Sequence, residues 1–169
     1  MTSARRRRKT RSVRTAFAGL ALASFAAALL ASPPGGTATT ERVVTSPQTG
    51  LAIDGIDPVA YFTDAQPLPG RPEFEYRHHG VVWRFRNDGN KAAFARAPDV
   101  YAPRYGGYDP VAVARGVAVA GNPLLWIVSE QRLYLFYSSA ARAAFVANRD
   151  KIVAEAEARW PGVAATLIP

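Results

Sequence analysis

The strongest constraint on this chain is a stretch of sequence that nearly occurs twice. Gly55-Ile56-Asp57-Pro58-Val59-Ala60 returns as Gly107-Tyr108-Asp109-Pro110-Val111-Ala112, 52 residues on. Ala92-Ala93-Phe94 returns as Ala143-Ala144-Phe145, and Phe85 aligns with Phe136, each 51 residues on. Alanine is abundant here, so short alanine matches carry little weight. The six-residue Gly-x-Asp-Pro-Val-Ala match carries more, and it divides the chain into two halves of one pattern.

Each half predicts an Asp-Pro turn, then a hairpin, then a helix. Phe74–Gly80 and Val81–Arg86 alternate apolar and polar residues about a turn at His79-Gly80, the period of a half-buried strand pair. Leu124–Val128 and Leu133–Tyr137 predict a second hairpin, with Ser129-Glu130-Gln131-Arg132 between them. Asn90 is placed to open one helix, and Ser138 or Ser139 to open another. The second helix would carry Phe145, Ile152, Val153 and Ala156 on one face and stop at Pro161-Gly162. The expected fold is α+β: a small two-layer domain in which two β-hairpins combine under covering helices, with an internal two-fold repeat. Residues 50–161 would form it, 39–49 a linker rich in Thr, Ser, Pro and Gly, and 162–169 a C-terminal tail.

The charge balance excludes the function that it first suggests. A net charge of +8 points to nucleic acid, but seven of the 21 basic residues lie in residues 1–15, which hold no acid. The remainder carries 14 bases against 13 acids. Behind the basic run, Ala16–Ala31 is uncharged for 16 residues. As a helix it spans about 24 Å, short of the roughly 30 Å hydrocarbon core of a bilayer. Pro33-Pro34-Gly35-Gly36 breaks the segment, and small residues follow. Residues 1–38 therefore read as an export signal, with the mature chain periplasmic or extracellular and touching membrane only through that signal. The Arg run leaves both the general and the twin-arginine routes open. No cysteine is present, so disulfides, thiolate zinc sites and a Cys nucleophile are excluded.

Asp57-Pro58 and Asp109-Pro110 each have the form of a helix cap followed by proline at the first helical position. As such a cap, Asp109 would contribute about 0.5–2 kcal/mol. The alternative makes the two aspartates paired carboxylates, either hard-cation (Ca or Mg) ligands or, for Asp109, a general base. Tyr101-Ala102-Pro103-Arg104-Tyr105-Gly106-Gly107-Tyr108-Asp109 is the most unusual stretch. Its glycines permit close backbone approach and its tyrosines supply flat amphipathic walls. It reads equally as a ligand-binding loop and as a tight crossover with buried tyrosines. His78 and His79, as strand neighbours, should point to opposite faces and be solvated. Trp83, Trp126 and Trp160 are expected in the core. No P-loop, dinucleotide fingerprint or nucleophile elbow occurs.

Gly55–Phe62, Tyr101–Tyr108, Leu133–Ser138 and Trp160-Pro161 together resemble the exported YHS-domain proteins of bacteria, some of them selenoproteins, over essentially all of residues 50–161. The resemblance implies a small α+β domain behind an export signal. The wider group is associated with metal handling, and no general activity is established for its exported members. In that family the position after Gly-Gly-Tyr is typically Cys or selenocysteine, and here it is Asp109. The substitution keeps a negative charge and a cap but removes thiol redox and soft-metal chemistry. The functional expectation is a non-enzymatic binding module without a cofactor, taking a small ligand or a partner protein. Its candidate residues are Asp57, Tyr61, Tyr105, Gly106, Gly107, Tyr108 and Asp109.

Overall fold

The computed structural model describes residues 41–167, so the export signal lies outside the described residues. The fold is α+β, with two antiparallel two-stranded sheets, six α-helices and two short 3-10 helices among these residues. Helix α1 (Ala60–Thr63) precedes strands β1 (Arg71–His78) and β2 (Val81–Phe85). Helices α2 (Asp88–Arg96) and α3 (Pro98–Tyr101) follow. The later half runs α4 (Pro110–Val113), β3 (Asn122–Ser129), β4 (Arg132–Phe136), α5 (Ser139–Ala147) and α6 (Arg149–Ala165).

The same local chemistry builds both halves. Each hairpin turns through two residues of positive φ, His79 and Gly80 in one, Glu130 and Gln131 in the other, the backbone that a two-residue hairpin turn demands. Each breaks register at its open end, between Arg71 and Glu75 and between Asn122 and Trp126. Residues just before the bulged strands explain this bend. A Cβ on Gly70 would sit 2.5 Å from the Arg84 carbonyl carbon, and one on Gly121 would sit 2.6 Å from the Leu135 Cβ. Only glycine lets the chain cross its partner so closely. The helices after the hairpins are capped alike. Asn87 Oδ1 accepts from the Asn90 amide at 2.8 Å, and Ser138 Oγ from the Ala141 amide at 3.1 Å.

Four expectations are corrected by the structure. The hairpins do not combine into one sheet: each remains two-stranded, and they meet through side chains. Strand β4 lies between two cores. Leu133 and Leu135 pack with Trp83, Phe85 and Phe94, while Tyr134 and Phe136 pack with Phe145, Ile152 and Ala156. Side chains alternate across a strand, so one strand can serve both. Second, Asn87 rather than Asn90 opens α2, because its extended backbone frees the side chain to cap. Third, the predicted long helix is two, broken at Asn148, and α6 runs through Pro161-Gly162 to Ala165. Proline forfeits one bond there, while Val163 and Leu167 beyond it are buried. Fourth, neither the linker nor the tail is peripheral. Val44 and Ser46 are buried. The Val44 amide donates to the Gly106 carbonyl, and the Ile53 amide to that of Val44, at 2.8 and 2.9 Å. Residues 41–46 form a strap across the domain.

Candidate functional site

The two aspartates are placed alike. Asp57 is fully buried and Asp109 is 2% exposed. Asp109 caps α4 as expected: one oxygen accepts from the Val111 amide at 2.8 Å. Its second oxygen accepts from the Tyr137 amide at 2.9 Å, at the end of β4. Asp57 does the same with the Val59 and Arg86 amides, at 2.8 and 2.9 Å, and also accepts from Asn90 Nδ2 at 2.7 Å. Its cap closes the turn before α1, which begins only at Ala60. Each carboxylate therefore staples an Asp-Pro turn to the far end of the following hairpin. Both oxygens of both groups are engaged. Among the described residues, no group of three or more His, Cys, Asp or Glu is assembled to hold a metal.

The tyrosine-glycine loop is occupied by the protein itself. Tyr105 and Gly106 both take positive φ, 55° and 63°, and a Cβ on Gly106 would fall 1.9 Å from the Arg42 carbonyl oxygen. The close approach that these glycines permit is thus to the strap. Gly107 and Tyr108 are buried, and the Tyr108 hydroxyl donates to the Glu41 carbonyl. The Tyr105 hydroxyl reaches Glu157 at 3.3 Å, and burial, then that carboxylate, holds its pKa above the ordinary tyrosine value. Tyr61 lies edge-on to Trp126 and donates to the Pro123 carbonyl at 2.8 Å. Burial, then Asp54 and Asp57, raises its pKa as well. The aspartates brace their own halves, Tyr61 joins one half to the other, and Gly106 and Tyr108 seat the strap, while Gly106 and Tyr105 also line the open space beside the loop.

The space for a ligand lies beside that loop. A cleft of about 680 Å³ opens between the strap, the first hairpin and the segment formed by α3 and the residues after it. The strap contributes Arg42 and Val43, and the hairpin His78, His79 and one edge of Trp83. Asp99, Ala102 and Pro103 form the third wall, and Trp160 of α6 the fourth. A recess of about 370 Å³ shares Asp99, Ala102, Pro103 and Trp160 with it and adds Arg104, Tyr105 and Arg132.

The histidines are arranged otherwise than a plain strand would place them. His79 leaves the strand at φ 49°, so its ring swings back to lie 4.0 Å from that of His78. His78 also rests edge-on against Phe94 at 5.7 Å. Burial, then the neighbouring imidazole, lowers the His78 pKa, against a smaller opposing pull from Asp99. Trp160 is half-buried, held at 5.6 Å by Tyr105 and at 6.2 Å by Tyr108. Arg42, His78, His79 and Trp160 were not among the candidates. Only the adjacent histidines before a glycine marked any of them in the sequence. The chain matches no protein-family model, no curated protein and no solved structure.

Proposed function

We propose that this chain is an exported binding module of the YHS type, without an enzymatic activity of its own, that takes a small ligand in the cleft beside the strap. One observation carries the reading. The aspartates and tyrosines of the repeated motifs are consumed by internal hydrogen bonds, while the adjoining cleft holds two imidazoles, two indoles, a guanidinium and a carboxylate around open space. Its volume of about 680 Å³ lies within the roughly 300–1,000 Å³ of small-molecule sites. The motifs and the basic-apolar leader support the family and the export. The halves support a duplicated framework: caps, bulges and staples recur 51 or 52 residues on. In this reading the shared framework positions the cleft, whose walls come from the first hairpin, the strap and Trp160 of α6.

Native mass spectrometry of protein recovered from the exported fraction tests the proposal. The expected result is a retained small mass that is lost in the Trp160→Ala variant and kept in Val146→Ala, a substitution at an exposed residue outside the cleft. A ligand that survives Trp160→Ala, or one released only by chelation, would overturn it.

A further inference from the structure

We infer that the cleft takes a planar organic anion, an aromatic carboxylate or a chemical equivalent, with its ring against Trp160 and its charge toward Arg42. The inference rests on the cleft being the binding site. The guanidiniums around the cleft differ in what already neutralises them. Arg104 is paired with Glu157. Arg42 makes no ion pair among the described residues, and Arg132 only donates to the Asp99 main-chain carbonyl, at 2.8 Å. The cleft and its recess therefore present two unneutralised guanidiniums against one carboxylate, Asp99. A guanidinium offers a rigid fork matched to a carboxylate, and a cationic ligand would meet net repulsion.

The walls of the cleft favour a flat body. Trp160 is fixed from behind by Tyr105 and Tyr108, and Val43, Ala102 and Pro103 continue its apolar surface. The Trp83 indole N–H is spent on the His78 carbonyl, at 3.4 Å, leaving that ring as apolar wall. A planar ring buries most area against such a surface. The paired imidazoles, 4.0 Å apart, line the same cleft and add hydrogen-bonding atoms to it.

The test uses three probes of one shape: 2-naphthoate, its neutral amide, and 2-naphthylmethylammonium. Each is titrated into ¹⁵N-labelled exported protein, reading the indole N–H signals of Trp160 and of Trp126, which lies outside the cleft. The expected result is that naphthoate moves Trp160 and not Trp126. Its affinity should fall at least ten-fold on amidation and at least ten-fold in Arg42→Gln, an exposed position whose substitution leaves the core intact. If amide and carboxylate move Trp160 equally, the cleft remains a binding site and the anion is wrong. Tightest binding of the ammonium would overturn the anion too and assign the charge selection to Asp99. If no probe moves Trp160 at millimolar concentration, both this inference and the cleft as binding site fail.

Discussion

Asp57 and Asp109 show how one carboxylate can do the work of a cap and a cross-brace. Each has two acceptor oxygens, and each gives one to its own turn and one to a distant strand end. A solvated N-cap is worth about 0.5–2 kcal/mol, because water takes its place when it is removed. Here both carboxylates are buried, and each donor left without its acceptor costs about 1–3 kcal/mol where water does not reach it. Asp109→Ala should therefore destabilise by about 2–4 kcal/mol, and Asp57→Ala by more, since Asn90 also loses its acceptor. Urea melts of both variants check this, and equal losses would show that Asn90 contributes nothing. His78 gives a second residue-scale test. Its folded pKa lies below that of a free imidazole, so between the lowered value and about 6.5 the unfolded chain binds more protons. Stability contributed by this residue should fall as pH drops through that window and level off beneath it. An NMR titration should place the His78 midpoint below that in urea, and Asp99→Asn should lower it further by removing the one carboxylate that favours the charged ring. A midpoint that rises would reverse the assignment.

At the scale of elements, the halves share a plan but not a burden. Helices α2 and α5 each bury one phenylalanine, Phe94 and Phe145. Truncating either to Ala should cost about 3–5 kcal/mol as a core deletion. The consequences should differ in place. Phe94 touches His78, Trp83 and Phe85, and so supports a wall of the cleft, whereas Phe145 packs on Tyr134 and Phe136 away from it. Phe94→Ala should move the indole signal of Trp83 and the ring signals of His78, and Phe145→Ala should leave them in place. Alternation and spacing made the hairpins, both phenylalanines and the Asp109 cap readable from the sequence. They could not reveal that Glu130-Gln131 adopts a turn usually built from Asn and Gly. Nor could they show that α6 passes through Pro161, since burial of Val163 and Leu167 outweighs the missing N–H. The cleft was illegible for a related reason. Arg42, Trp160 and the histidines come from three separated segments, and only tertiary packing brings them to one place.

For the whole molecule, the strap decides where the domain begins. Composition marks residues 39–49 as a linker, yet 41–46 closes the Gly106 junction and walls the cleft through Arg42 and Val43. On the proposed export, cleavage of the leader ahead of residue 41 leaves the strap whole. N-terminal sequencing of exported protein should give a start between about residues 32 and 42, at signal-cleavage spacing. The dependence can be measured directly by comparing chains that begin at residues 39 and 47. The shorter one loses the Val44 and Ser46 amide bonds, at 2.8 and 2.9 Å, the acceptor of the Ile53 amide, and the buried Val44 side chain. At about 1 kcal/mol per net hydrogen bond and roughly 1.5–3 for the valine, the loss should be about 4–6 kcal/mol. For a domain of this size that is a fall in Tm of about 10 °C or more. The shorter chain should also lose naphthoate binding even at temperatures where it stays folded, because Arg42 leaves with the strap. Equal Tm values for the two chains would mean that the strap is a passenger and that the domain begins after it.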